Sequence, residues 1–411
     1  LRDTEPELHL RSVTLTAKDK ICLCETRECT PEACPYANGY YARIKDALWD
    51  VLDVPCLTAE TLQEYAERHM VCPFELGLDS SLWSDVIIGD YNYLFDPVVH
   101  LVRFFESAGD YIFLVDEAHN LPGRAREMHS AALTKTSFYE AKKLLGKGKS
   151  SLKNALTKVN DVFIEWRHRA EEETAARDGR FGKTFFLKER SEEFDHLLNR
   201  LCEPLEAWLD DHREPDETHT ALLQLYFDVR AWLRVADTFD DHFVLQITAS
   251  GSEVRAAQLC LDPSAFLADS FALGRAAVLF SATLAPASYY KDLCGVPEAR
   301  AVALRSPFPA GNQGLFCIGN VSTRYKDRDA SLAIVEESLA TMVRARCGNY
   351  LAFFPSYAYM EQAYAQFKEH CPEINCIKQE NAMDEQQKAA FLAQFVPGPS
   401  QTLLGFAVMG G

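Results

Sequence analysis

The chain has 411 residues, 47% hydrophobic and 25% charged, which excludes a disordered protein and allows more than one core, and no stretch is long and apolar enough to cross a bilayer. A formal charge of −18 argues against a broadly basic nucleic-acid coat, although a local basic channel stays possible. Thirteen cysteines, an odd number behind a start, LRDTEPELHLRS, without the layout of a secretory signal, point to reduced thiols or metal ligands in a soluble, cytoplasmic protein.

Taken in chain order, LHLRSVTLTA within residues 1–17 is a predicted strand. Next, KDKICLCETRECTPEACPYANGYYARI crowds cysteines between residues 22 and 34, and VCPFEL adds another. Four sulfurs at Cys22, Cys29, Cys34 and Cys72 can converge on one site, with Cys24 competing for the first position. A set of four thiolates suits tetrahedral zinc or an iron–sulfur cluster, and spacing alone does not choose. Scattered cysteines such as Cys202, Cys260, Cys294 and Cys317 read as small buried hydrophobes instead. TAETLQEYAERHM reads as an amphipathic helix with Thr58 before it and Thr61 and Glu64 in its first turns. DVIIGDYNYLF is predicted to return as a strand; its Tyr91 and Tyr93, with Tyr36, are candidates for stacking on bases, against a plainer reading as core packing.

YIFLVDEAHNLPGRA then runs an apolar strand straight into two acids and a histidine. Buried strands of parallel sheets read as continuous apolar runs, and ligand sites in open sheets lie beyond strand C-termini, so Asp116 and Glu117 stand where a site belongs. In nucleoside triphosphatases, an acid in this place holds the magnesium that bridges the phosphates and a neighbour orients the attacking water. The required glycine-rich loop is missing. Its two imitations, LLGKGKSS near Lys149 and RDGRFGKT near Lys183, have Lys143 and Arg177 where the first glycine belongs, and neither follows an apolar strand.

From about Arg124 to Asp241 the pattern is helical and charged, almost without strand alternation. Lys142, Lys143, Lys147, Lys149, Lys153 and Lys158 run there without an acid between them, either a strip for phosphates or a solvated helix face. HFVLQITASGSEVRAAQLCLDP reads as two strands joined at 250–252, and AAVLFSATL as a buried strand ending in polar residues. Past SPFP begins a second strand–helix domain, with YLAFF as strand and YMEQAYAQFKEH as helix; Arg324 and Lys326 in STRYKDR near its start are candidates for touching a nucleic-acid backbone.

The order of cysteine cluster, SDVIIGDYNYLFDP, FLVDEAHN, helical insert and VLFSATLAPASYYKDL resembles the XPD/Rad3/DinG family of superfamily 2 DNA helicases, across nearly the whole chain and most of all its bacterial DinG-like members. The resemblance implies an α/β fold with two incomplete RecA-like motor domains, an inserted cluster domain and an inserted helical arch. Its divisions are 1–17, 81–123 and 242–300 for the first motor, 18–80 for the cluster domain, 124–241 for the arch and 301–411 for the second motor. It implies a [4Fe-4S] cluster on Cys22, Cys34 and Cys72 with Cys29 as second ligand, Cys24 remaining an alternative. It implies ATP and Mg2+, with Asp116 on magnesium, Glu117 on the attacking water and His119 linking hydrolysis to Thr283. SATL, with Ser281, Ala282 and Thr283, resembles motif III, which couples nucleotide state to DNA grip, and GNYLAFFPSYAYME resembles motif IV. The implied activity is 5′ to 3′ movement on single-stranded DNA, with forked or tailed duplexes as partners and a role in repair or replication. The phosphate loop and motifs V and VI are expected beyond the two ends, so the stretch alone is predicted inactive. Two other readings are a zinc-stabilised nucleic-acid-binding or scaffold protein without ATPase activity, and a helicase frame that serves a nuclease.

Overall fold

The structure, a computed structural model, describes all residues except 1–8, 147, 149, 177–182, 215, 320, 323, 384 and 410–411. The chain divides into two compact units, Leu1–Val302 and Ala303–Gly411.

In the first unit, β1 (Ser12–Thr14) lies between β2 (Cys56–Leu57) and β3 (Val86–Ile88) in a parallel sheet, with Val13 opposite both Leu57 and Ile87. The helices Tyr40–Val51, Ala59–His69 and Pro73–Ser80 close over Val13, where Ile44, Leu62, Val71 and Leu76 are buried. Thr58 caps the second of these as its sequence predicts, accepting the Thr61 N–H at 3.3 Å. The strand expected over DVIIGDYNYLF is shorter. It stops at Ile88, because the Asp90 carboxylate accepts the Asn92 N–H at 3.0 Å and opens the helical turn Asn92–Phe95.

The next strand, β4 (Ile112–Val115), is followed by a long excursion before its partner arrives. Within it, β5 (Ala131–Thr134), β6 (Lys183–Leu187), β7 (Phe243–Ser250) and β8 (Glu253–Cys260) form an antiparallel sheet in the order β5-β8-β7-β6. The helices Lys135–Leu144, Ser151–Ala176, Glu192–Asp211 and Glu217–Thr238 share one core with it, and Phe138, Phe163, Phe194 and Trp232 are fully buried there. The sequence predicts almost no strand between about residues 124 and 241, yet β5 and β6 lie in that stretch. Strands this short show two alternations at most, and the helical period of their long neighbours masks them. The hairpin β7–β8, turned at Gly251–Ser252, is where the alternation places it, but it pairs with β5 and β6.

Then β9 (Ala276–Leu279) returns in parallel beside β4, setting Ile112 against Ala276 and Val115 against Leu279. Val115, Ala118, Leu121, Leu267, Phe271 and Cys294 form the core beneath them. The apolar run predicts a strand buried on both faces, but Ile112 and Leu114 are 65% and 67% exposed; within this unit only the other face is covered.

In the second unit, β10 (Asn349–Phe354), β11 (Asn375–Lys378) and β12 (Leu403–Val408) make a parallel sheet in the order β10-β12-β11. The helix Tyr357–His370, capped by the Ser356 hydroxyl, packs Met360 and Phe367 against Phe354 and Phe406. Both units are therefore α/β. Among the described residues, no helix is long and apolar enough to cross a membrane.

Candidate functional site

The parallel pairing of β4 and β9 extends past both strand ends. Phe280 N–H donates to the Val115 carbonyl at 3.0 Å and Ala118 N–H to the Phe280 carbonyl at 3.1 Å, so the two following segments leave the sheet side by side. Glu117 has φ +44°, a left-handed conformation that costs a residue with a side chain about 1–3 kcal/mol unless its surroundings hold it. Two contacts do so. The Glu117 N–H donates to Asp116 Oδ1 at 2.7 Å, and the Tyr91 hydroxyl donates to the carbonyls of both Asp116 and Glu117, the second at 3.0 Å.

On this turn the Ser281 hydroxyl donates to Glu117 Oε2 at 3.1 Å and sits 2.8 Å from His119 Nδ1, which is itself 3.1 Å from Glu117 Oε2. Thr283 donates its N–H to Ser281 Oγ at 3.2 Å, and the two hydroxyls lie 3.4 Å apart. The direct partner of His119 is thus Ser281, with Thr283 one step beyond. Ala282 is exposed and brings no polar side chain. The Glu117 side chain is 59% exposed and Asp116 is exposed, so two carboxylates open to solvent beside an imidazole and two hydroxyls. Such a group can hold a hydrated cation and orient a water molecule.

Tyr91 is drawn into this turn rather than left on a surface. Its ring meets Phe95 edge-on at 6.3 Å, and burial, followed by Asp116 and Glu117, pushes its phenol pKa up. Tyr93 is half-buried against the core around Val13, and Tyr36 is half-buried near Cys24 and Cys34. Arg324 and Lys326 are exposed around the short turn Tyr325–Asp327 of the second unit. Of the lysine strip, Lys153 donates to the Gly148 carbonyl at 3.0 Å and Lys158 is exposed, while Lys147 and Lys149 lie outside the described residues. Residues 177–182 of the second phosphate-loop imitation lie outside them too; Lys183 opens β6 and is ion-paired with Glu171 at 2.8 Å.

All thirteen cysteines are unpaired. Cys22, Cys24, Cys34 and Cys72 are half-buried and Cys29 is exposed. Cys24 Sγ lies 3.9 Å from Cys34 Sγ, and burial, then Cys34 and Cys22, push its thiol up to about 11. Cys72 heads the helix Pro73–Ser80. Burial raises its thiol pKa, while the N–H groups of Glu75 and Phe74 and the Lys18 cation favour its thiolate. A zinc–sulfur bond of about 2.3 Å sets sulfurs of a tetrahedral site about 3.8 Å apart. Among the described residues no three of these sulfurs lie within 4.8 Å of one another. The donor set, five thiols in one small domain with one at a helix N-terminus, suits thiolate ligation of an iron–sulfur cluster or of zinc.

The DEAD_2 family matches residues 7–138, which contain both the thiols and the acid turn, and the family described as Helicase C-terminal domain matches residues 339–411. Both matches are to helicase families, and the chain is similar to XPD/Rad3-type superfamily 2 helicases. The General transcription and DNA repair factor IIH helicase subunit XPD of Schizosaccharomyces pombe is 24% identical to this chain over 84% of it and 52% of the relative. The ATP-dependent DNA helicase CHL1 of Coccidioides immitis is 20% identical over 86% and 46%, and a Regulator of telomere elongation helicase 1 homolog of Anopheles gambiae 28% identical over 31% and 14%. The chain thus spans about half the length of the relatives that it matches over most of its own. A solved structure titled XPD_Helicase aligns with a TM-score of 0.49 and 16% identity, covering all of this chain and 70% of that one; the family likeness rests on the sequence matches alone.

Proposed function

We propose that the chain serves an ATP-dependent DNA helicase of the DinG-like kind, moving 5′ to 3′ on single-stranded DNA and opening forked or tailed duplexes in repair or replication in the cytoplasm. The observation that carries this reading is the convergence of Glu117, His119 and Ser281 beyond two paired parallel strands, with separations of 2.8–3.1 Å, in the sequence order of helicase motifs.

In this reading Asp116 holds hydrated magnesium, whose charge offsets that of the ATP phosphates, and Glu117 orients the attacking water. His119 and Ser281 hold the Glu117 carboxylate and pass its state to Thr283, at the end of the segment that follows β9. Cys22, Cys29, Cys34 and Cys72 hold a [4Fe-4S] cluster, with Cys24 the alternative to Cys22 or Cys29. Residues 18–80 form the cluster domain, and 301–411 belong to the second motor. The helical insertion would begin near residue 124 and, since β7 and β8 share its core, extend to Cys260. Tyr91 and Tyr93 act through packing, whereas Arg324 and Lys326 remain exposed enough to meet a phosphate backbone.

Residues 1–411 alone are proposed not to turn ATP over, because among the described residues no strand leads into a glycine-rich lysine loop. The test is phosphate release and strand separation by a form that also carries such a loop, compared with its Glu117→Gln variant. DNA-stimulated hydrolysis lost in the variant supports the reading. Hydrolysis that survives in Glu117→Gln would remove the role given to the acid turn.

A further inference from the structure

Arg43 stands in the first turn of the helix Tyr40–Val51. Its half-buried side chain donates four hydrogen bonds to three backbone carbonyls. Nη2 reaches Pro35 at 3.2 Å, Asn38 at 2.5 Å and Met70 at 2.6 Å, and Nε reaches Met70 at 2.9 Å.

These carbonyls belong to two cysteine-bearing segments. Pro35 follows Cys34, and the Asn38 N–H bonds back to the Cys34 carbonyl at 3.0 Å, closing a turn around that thiol. Met70 ends the helix Ala59–His69 in a left-handed conformation, φ +54°, two residues before Cys72. The helix C-terminus is the negative end of its dipole and favours a cation. Lysine offers a point charge, whereas the guanidinium fork can serve several carbonyls in fixed directions. Gly39 makes room for it: Gly39 has φ +68°, and a Cβ there would lie 2.8 Å from Arg43 Nη1.

We propose that Arg43 is the positioning residue of the thiol site, setting the separation of the Cys34 and Cys72 sulfurs and so the retention of a cluster between them. The inference rests on the iron–sulfur reading of those thiols. Residues that orient ligands from behind change metal affinity about 10–100-fold when replaced.

The test uses residues 1–411 purified without oxygen, as wild type and as Arg43→Ala, Arg43→Lys, Gly39→Ala and Leu62→Ala. Iron and sulfide per chain are measured, with the decay of visible absorbance in a chelator and the thermal midpoint. Arg43→Ala is expected to lose absorbance about 10-fold faster than wild type or more. Arg43→Lys should fall close to it, and Gly39→Ala should shift the same way, so these two decide the matter if Arg43→Ala does not fold. Leu62 is buried in the same core and gives nothing to the carbonyls that Arg43 serves, so Leu62→Ala reports destabilisation with the Arg43 hydrogen bonds in place. Iron held in Arg43→Ala as long as in wild type, or lost no faster than in Leu62→Ala at an equal drop in midpoint, overturns the assignment. A wild-type chain without iron and sulfide sinks the cluster reading and the Arg43 role with it, a result distinct from a durable cluster in the variant.

Discussion

The Tyr91 hydroxyl donates to the Glu117 backbone carbonyl at 3.0 Å, across 26 residues of sequence. It clamps a glutamate whose φ of +44° would otherwise relax. In a form competent for ATP hydrolysis, Tyr91→Phe keeps the ring against Phe95 and loses only the clamp. Turnover should fall about 10- to 100-fold, because small misplacements of a reacting group are costly, with KM for ATP little changed. Turnover equal to wild type would mean that the turn holds itself.

Ser281 bridges Glu117 and His119, so its hydroxyl rather than its volume should matter. Ser281→Ala is expected to lower turnover about 10-fold and Ser281→Thr to restore most of it. Steady-state hydrolysis with saturating single-stranded DNA checks this; a threonine variant as impaired as alanine would contradict it.

Asp195 gives a pH-dependent prediction. It is 6% exposed, accepts the Trp232 indole N–H at 2.8 Å and lies 4.0 Å from Arg190 Nε. Burial, the largest influence, raises its carboxyl pKa in spite of Trp232 and Arg190, which pull it down. The folded state therefore binds this proton more tightly than the unfolded state. That stabilisation is fully present below the unfolded value, about 3.9, and is lost as pH rises through the higher folded value. At pH 7 the buried charge is a net cost. Asp195→Asn, which keeps an oxygen for Trp232, should raise the unfolding midpoint at pH 7, with the gain shrinking as the pH approaches 3. A lower midpoint for the variant at pH 7 would show that the Arg190 pair outweighs burial.

Gly295 follows the helix Ala287–Leu293 with φ +67°, and a Cβ there would stand 2.1 Å from the Ser264 carbonyl oxygen. Gly295→Ala should cost more than about 2 kcal/mol, since left-handed strain alone is worth about 1–2. Urea unfolding measures it. A loss under about 0.5 kcal/mol, the range of an ordinary surface change, would mean that the backbone there yields freely.

Thiol chemistry separates buried from open cysteines. Cys294 is fully buried, and burial pushes its thiol up to about 11, whereas Cys56 and Cys317 are exposed. At pH 8 a thiolate-selective alkylator should label Cys56 and Cys317 in the folded chain and spare Cys294 until denaturant is added. Mass spectrometry of the labelled peptides reads the outcome directly, and early labelling of Cys294 would place it outside the core.

Much of the molecule was legible in its residues because the relevant physics is local. A threonine before an amphipathic run caps it, alternation with a Gly-Ser turn makes the β7–β8 hairpin, and an apolar run that ends in Asp116 and Glu117 makes a strand with a site at its end. The sequence by itself therefore determined the α/β class, the order of the motifs and the residue types at both sites. Only the tertiary structure decided which of those residues meet. The pairing of β4 with β9 brings Ser281 to His119 across 162 residues, with Thr283 one hydrogen bond beyond. The clamp from Tyr91, the clasp of Arg43 on two cysteine segments and the strands β5 and β6 likewise depend on groups distant in sequence. No local period or spacing encodes such contacts; they exist because packed cores and backbone carbonyls in need of donors fix where distant side chains can reach.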